Sequence, residues 1–217
     1  MNELDGLEYA RPDEIERRSF EIIGHELGDH GFDELEELVV KRVIHTTADF
    51  DYAKNLCFTK NAVRQGMEAL VAGATVVTDT TMVAAGINKR VLGSFGGEVR
   101  TFIGDADVAA EARARGVTRS AVSMERSATL EGPLVFAIGN APTALARLAR
   151  LISCKTMPEP ALVIGVPVGF VNVVESKELM RATSVESIVA RGRKGGSNVA
   201  ASIVNALLYL ASDNRRE

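Results

Sequence analysis

The strongest constraint on the fold is an alternation of short apolar segments with segments of helical periodicity. Apolar runs occupy residues 74–79 (ATVVTD), 133–140 (PLVFAIGN) and 161–170 (ALVIGVPVGF), with shorter strand candidates at 99–104 and 186–192. Helical segments separate these runs. Strands that alternate with helices form parallel sheets whose two faces are both covered. We therefore predict an α/β fold in which helices cover both faces of a parallel sheet, as a single domain over residues 1–217.

The composition excludes several classes of function. The formal net charge is −4, which argues against a nucleic-acid partner, and 5% aromatic residues without tryptophan argue against a stacking platform for single strands. The longest apolar stretch, residues 161–174, is interrupted by glycine and proline and is a poor membrane span. Residues 1–18 are acidic and polar and lack the apolar region of a signal peptide. We expect a cytoplasmic protein with no nucleic-acid or membrane partner.

Polar and glycine-rich segments follow the predicted strands. They read TDTTM, GNAPTA, GVPVGFVN and ARGRKGGSN. Ligands of parallel sheets bind beyond the carboxyl ends of the strands, so these segments predict the site. Three of them allow two interpretations. Asp79 either serves the site or caps the next helix, Asn140 either caps a helix or reaches a ligand, and the loop at 192–198 either binds an anion or forms a tight turn.

His45 is the histidine with the strongest functional signal. It ends the helical segment DELEELVVKRVIH, and Thr46, Thr47 and Asp49 follow it. Arg42 lies three residues earlier and shares its side of the helix. A helix C-terminus favours the protonated imidazole, whereas a nearby arginine opposes it, so the pair suits an anionic ligand. The alternative is a structural histidine at the end of a helix.

Other catalytic motifs are missing from the sequence. It contains no P-loop, no G-x-S-x-G elbow and no G-x-G-x-x-G after the first strand. His25 and His30 are five residues apart, one too many for the zinc motif H-E-x-x-H, and Cys57 and Cys154 form no metal pattern. We predict no metal site and no cofactor.

Seven segments together resemble the precorrin-8X methylmutase family. In chain order they are IERRSFEII, RVIHTTADFDY, VVTDTTMVAAGI, TRSA, FAIGNAPTAL, GVPVGFV and ARGRKGGSNVAA. The resemblance extends over residues 10–210. It implies a Rossmann-like α/β fold and a homodimer with active sites at the subunit interface.

The resemblance also implies an activity. Members of this family move a methyl group from C-11 to C-12 of the corrin ring by a 1,5-sigmatropic shift. The substrate is precorrin-8X or cobalt-precorrin-8, and the product is hydrogenobyrinate or its cobalt form, cobyrinate, in cobalamin biosynthesis. No redox cofactor or methyl donor is consumed. The alternative from another class of function is a non-catalytic tetrapyrrole carrier.

The matched segments assign roles to individual residues. His45 in the R-x-x-H-T segment is implied as the general acid and base, and Ser19 and Arg42 as the principal substrate contacts. Further substrate contacts are implied at Arg17, Thr80, Arg119, Asn140 and Lys194. For Arg17 and Arg119, surface ion pairs are the alternative.

Overall fold

The structure, a computed structural model, describes residues 12–212 and contains six strands and 11 helices within that range. The strands are β1 (Leu56–Phe58), β2 (Thr75–Thr78), β3 (Glu98–Arg100), β4 (Leu134–Ile138), β5 (Leu162–Gly165) and β6 (Ser187–Ala190). The helices are α1 (Pro12–Leu27), α2 (Glu34–Thr47), α3 (Tyr52–Asn55), α4 (Ala62–Val71), α5 (Thr81–Gly86), α6 (Lys89–Ser94), α7 (Ala106–Arg115), α8 (Arg119–Ser127), α9 (Pro142–Ser153), α10 (Val173–Arg181) and α11 (Ser197–Ala211).

The strands form one sheet in the order β1-β6-β5-β4-β2-β3. Strands β2 to β6 pair in parallel, which confirms the predicted sheet. Strand β1 was not predicted, and it pairs antiparallel with β6, with Leu56 opposite Ala190 and Phe58 opposite Ile188. The sheet is therefore parallel except at one edge.

Helices cover both faces of the sheet, as predicted. Side chains alternate across a strand, and on β4 Val135 and Ala137 pack with the cluster that contains α2, α4 and α11. Phe136 and Ile138 point the other way, into the cluster that contains α8, α9 and α10. All four side chains are fully buried. Both faces of the sheet are thus core at β4, which explains why this strand reads as a continuous apolar run. The edge strand β3, with Glu98 and Arg100, is largely exposed.

Helix α11 is strongly apolar and lies against the sheet. Val199, Ile203, Val204 and Leu207 belong to the larger core cluster. The helix has 15 residues, fewer than the ~20 that a bilayer requires. No helix within residues 12–212 is both long and apolar enough to cross a membrane.

The strand order locates the most favourable place for a ligand. From β2 the chain passes outward to β3 and then returns to β4 on the other side of β2. Crevices at such a reversal, outside the carboxyl ends of the two inner strands, bind ligands in open α/β sheets. Here the reversal lies between Thr78, which ends β2, and Ile138, which ends β4.

Candidate active site

Helix α2 carries His45 to the surface in its last turn. The Asp33 side chain accepts hydrogen bonds from backbone N–H groups at the start of the helix in a capping box, and Ala48 ends it in a left-handed conformation with φ 52°. Val43 and Ile44 are buried, and His45, the next residue, is exposed. The apolar stripe of α2 thereby fixes the direction in which the imidazole points.

The imidazole of His45 is held through one nitrogen. Its Nδ1 lies 2.8 Å from the Oγ of Ser19 on α1. The ring of Phe20 packs beside it, with 5.3 Å between the ring centroids. Within residues 12–212 no hydrogen bond reaches Nε2. The structure thus brings the predicted residues Ser19 and His45 together and leaves Nε2 open to a ligand.

Arg42 lies on the same side of α2, as predicted, and contacts the same aromatic ring. Its guanidinium carbon is 4.6 Å from the centroid of Phe20 and 5.4 Å from that of Tyr209. It also forms an ion pair with Glu16 of α1. In the isolated chain, therefore, Glu16 supplies the carboxylate that the arginine was expected to find in a ligand.

Arg17 forms the surface ion pair that was considered as its alternative role. Its Nη1 lies 2.8 Å from Glu21, and both side chains are 58% exposed, so the pair contributes little to stability. Arg17 and Arg42 also line a groove of about 560 Å³ between α1, α2 and α11. The same groove carries Glu21, Glu34, Glu37 and Lys41. The acidic residues make this groove a mixed rather than a cationic surface.

Asp79 joins the two strand ends at the reversal of the sheet. Its carboxylate accepts hydrogen bonds from the backbone N–H groups of Gly139 (3.0 Å), Asn140 (2.8 Å) and Ala141 (2.6 Å). Burial raises the pKa of Asp79, and these three hydrogen bonds oppose the rise. Asp79 does not cap α5, because that position belongs to Thr80. Its observed role is to hold the loop between β4 and α9.

Thr80 and Asn140 lie at this edge of the sheet, where they were predicted. The Oγ1 of Thr80 is 3.3 Å from the Oγ of Ser197 at the start of α11. Asn140 is exposed and is not a helix cap, because the N-cap of α9 is Ala141. The amide side chain of Asn140 is therefore available to a ligand.

Lys194 connects the glycine-rich loop to the turn after His45. Its Nζ lies 2.6 Å from Asp49 and 2.7 Å from Asp51. The hydrogen bond from Lys194 lowers the pKa of Asp49. The loop after β6 is thus fixed close to the end of α2.

The glycines of this loop are required by its backbone. Gly192 has φ 74°, a left-handed value that other residues adopt at a cost. A Cβ at Gly195 would lie 2.1 Å from the carbonyl oxygen of Val166. The positive φ and this close approach account for Gly192 and Gly195.

Arg119 does not contact His45 or the residues around it within one chain. It is exposed at the first position of α8. Within residues 12–212, no hydrogen bond or ion pair joins its guanidinium to another predicted site residue. The same range contains no group of three or more His, Cys, Asp or Glu side chains placed to hold a metal ion.

Four residues near the site were missed from the sequence: Phe20, Asp51, Lys177 and Glu16. Glu16, Ser19 and Phe20 are three and four residues apart on α1, and this helical spacing was the available signal. Lys177 gave no signal, because a lysine in the polar segment ESKEL is typical of a solvated helix face. It is instead fully buried and donates to the carbonyl oxygens of Gly192 and Lys194, both at 2.8 Å.

Burial of Lys177 predicts a dependence of stability on alkaline pH. Burial lowers its pKa from 10.5 to about 8. Between these values the unfolded chain holds a proton that the folded chain has lost, so the free energy of unfolding rises with pH. We expect a rise of up to about 3 kcal/mol relative to Lys177→Met. The neutral amine still has two N–H groups for the two carbonyls.

The measurement is urea unfolding of the wild type and Lys177→Met at a series of pH values. Other groups that titrate in this range cancel in the difference between the two proteins. A difference that stays constant from neutral to strongly alkaline pH would show that Lys177 has an ordinary pKa in the folded chain.

The arrangement around His45 suits proton exchange with a bound ligand. One ring nitrogen is held by Ser19 and the other is open, so the same imidazole can donate a proton through Nε2 and recover it. Arginine and lysine side chains on the neighbouring elements suit carboxylates on that ligand.

Comparison with known proteins identifies the family. The model of the precorrin-8X methylmutase family matches residues 14–210. The chain is 46% identical to cobalt-precorrin-8 methylmutase from Salmonella typhimurium, over 92% of this chain and 95% of the relative. It is 43% identical to precorrin-8X methylmutase from Pseudomonas aeruginosa, over 93% and 97%.

A solved structure agrees with this result. A crystal structure of precorrin-8X methylmutase from Thermus thermophilus superposes with a TM-score of 0.84 at 39% identity, covering 92% of this chain and 98% of the other. The resemblance inferred from seven segments is thereby confirmed along nearly the whole chain, and the chain belongs to the precorrin-8X methylmutase family.

Proposed function

We propose that this chain is a methylmutase that moves a methyl group from C-11 to C-12 of precorrin-8X or cobalt-precorrin-8. The product is hydrogenobyrinate or cobyrinate. The observation that carries the proposal is the exposed His45, with Nδ1 bonded to Ser19 and Nε2 open. The proposal extends to residues 1–217 as one domain and to a cytoplasmic location.

His45 supplies the proton chemistry of the reaction. Nε2 protonates a nitrogen of the macrocycle, which draws electron density from the conjugated system and lowers the barrier to migration. The bond from the methyl carbon to C-11 then breaks as its bond to C-12 forms. His45 takes the proton back, so the reaction consumes no proton, electron or methyl donor. Proton transfer of this kind contributes about 10²–10⁴-fold to a rate.

The carboxylates of the substrate determine how it binds. Acetate and propionate groups surround the apolar macrocycle. Arg42 lies three residues before His45 on α2, and Lys194 bonds to Asp49 and Asp51 in the turn after that helix. Both are paired with acidic side chains in the free chain. A substrate carboxylate therefore shares or displaces a protein carboxylate when it binds, which favours ligands with several carboxylates over ligands with one.

The exposure of the site supports a homodimer. Met82 is 70% exposed and Phe170 is 83% exposed at the carboxyl edge of the sheet, and His45 is exposed as well. A single chain thus leaves an apolar macrocycle open to water on the side of these residues. A second copy covers it, and we expect two protomers by sedimentation equilibrium.

The direct test is incubation of the protein with precorrin-8X and, separately, with cobalt-precorrin-8. The shift moves the saturated carbon from C-11 to C-12 and thereby changes the conjugated system, so the visible spectrum changes as product forms. A known methylmutase serves as the control for substrate quality. An unchanged spectrum with both substrates, while the control enzyme converts them, would reject the proposed function.

A further inference from the structure

The loop between β6 and α11 is supported from behind by a buried lysine on α10. The side chain of Lys177 is fully buried, and its Nζ donates to the carbonyl oxygens of Gly192 and Lys194, both at 2.8 Å. Buried lysines are rare because the ammonium group loses its hydration. Two main-chain acceptors offset part of that loss, and both belong to this one loop.

The other attachments of the loop lie on different elements. The N–H of Arg191 donates to the carbonyl of Asn55 at 2.8 Å, and the N–H of Gly196 donates to that of Val166 at 3.0 Å. These two bonds fix the ends of the loop, and the N–H of Gly169 donates to the carbonyl oxygen of Arg193 at 3.3 Å. Lys177 is bonded to the middle, at the residue whose own side chain reaches Asp49 and Asp51.

The bonds of Lys194 form a continuous connection from α10 to the active-site helix. Its carbonyl oxygen is held by Lys177, and its ammonium group is held by the two aspartates that follow α2. The backbone position of Lys194 therefore sets where its charge lies relative to the end of α2. Glycines at 192, 195 and 196 leave the loop with few side-chain contacts of its own, which makes the external support more important.

We infer that Lys177 is a positioning residue for substrate binding, which holds the loop at 191–196 so that Lys194 and the loop amides face the substrate carboxylates. The inference rests on the proposed function, because it assigns the loop to the same ligand. Lys177 itself touches no substrate. Its loss is expected to weaken binding and to leave the proton chemistry of His45 intact.

The test compares Lys177→Met with Met180→Ala in the full chain. Methionine keeps most of the apolar stem and removes both donors. Met180 is fully buried on the same helix but packs into the apolar cluster under α9, so its replacement loosens α10 without removing a bond to the loop. Lys177→Gln, which keeps one amide donor, is a second variant in case the methionine variant folds poorly.

Two readouts are measured. In hydrogen exchange followed by mass spectrometry, Lys177→Met is expected to speed exchange at residues 191–197 and to leave residues 139–141 unchanged. In turnover, KM is expected to rise by about tenfold with kcat within about threefold of wild type. Met180→Ala lowers the amount of folded enzyme and leaves KM near the wild-type value, and Lys177→Gln lies between wild type and Lys177→Met.

The outcomes separate this inference from the proposed function. Suppose that the wild type turns over normally. The role of Lys177 alone is then overturned if the KM of Lys177→Met is unchanged, or if it rises no more than the KM of Met180→Ala. Unchanged exchange at residues 191–197 overturns it as well, even without substrate. A wild-type chain that converts neither substrate overturns the proposed function and, with it, the substrate role assigned to the loop.

Discussion

Replacing His45 with alanine is expected to lower kcat for precorrin-8 conversion by about 10²–10⁴-fold and to leave the affinity for hydrogenobyrinate nearly unchanged. The imidazole is exposed at the end of α2, so its removal creates no cavity in the core and leaves no buried group without a partner. The loss is therefore confined to proton transfer. Single-turnover spectra give the rate, and equilibrium titration with hydrogenobyrinate gives the affinity.

Ser19→Ala is the matched control for this variant. It keeps the imidazole and removes only the hydroxyl at 2.8 Å from Nδ1, so we expect a smaller loss, of about tenfold, from poorer orientation of the ring. A His45→Ala protein that converts substrate at the wild-type rate contradicts the assignment.

The same pair of measurements separates an enzyme from a carrier. A non-catalytic tetrapyrrole carrier binds hydrogenobyrinate but shows no turnover in the wild type, so His45→Ala has no rate to lose. An enzyme shows wild-type turnover that disappears in the variant while binding persists. Turnover by the wild type therefore excludes a carrier, whereas binding alone fits both functions.

The central strands of the parallel sheet were predictable because they are buried on both faces. Segments such as LVFAI in β4 and LVIG in β5 are apolar at every position, and helical segments of clear periodicity separate them. Strand β1 lacks such a signal. It has three residues, lies at an edge and pairs with β6, about 130 residues later in the chain, so its hydrogen-bond partner cannot be recognised from local sequence.

The site was predictable in part, for similar reasons. The segments after β2 and β4 were found because the carboxyl ends of parallel strands lie at one edge of the sheet. The choice of Thr80 within them came from the family resemblance. The family resemblance implied separate roles for Ser19 and His45, and their hydrogen bond was not predicted, because the two residues are 26 positions apart on different helices. Lys177 was missed because only the packing of α10 against the loop after β6 buries it, and charge patterning along a helix does not report which face is covered.

Asp79→Ala is expected to lower the free energy of unfolding by about 3–5 kcal/mol, the largest effect on stability that we predict. The carboxylate is fully buried and accepts three backbone hydrogen bonds at the point where β2 and β4 diverge. Alanine leaves these three N–H groups without an acceptor. Relief of the buried charge offsets only part of this cost, because the N–H groups of Gly139 and Ala141 stay buried with the loop.

Urea unfolding measures the effect, with Asp79→Asn and Thr78→Val as matched controls. The amide of Asp79→Asn keeps the volume and one oxygen acceptor but turns an NH₂ group toward a remaining N–H, so we expect an intermediate loss. Thr78 is also fully buried, and Thr78→Val removes a single hydrogen bond to the carbonyl of Thr80, for which about 1 kcal/mol is expected.

The order of the three variants in stability tests whether the three backbone hydrogen bonds of Asp79 stabilise the fold. If these hydrogen bonds stabilise the fold, the free energy of unfolding falls from Thr78→Val through Asp79→Asn to Asp79→Ala. The m value of urea unfolding stays the same in all three. An Asp79→Ala protein as stable as wild type would mean that the buried charge costs as much as its hydrogen bonds contribute. The carboxylate would then serve to position Asn140, a proposed substrate contact. In that case Asp79→Ala would raise KM and leave the free energy of unfolding unchanged.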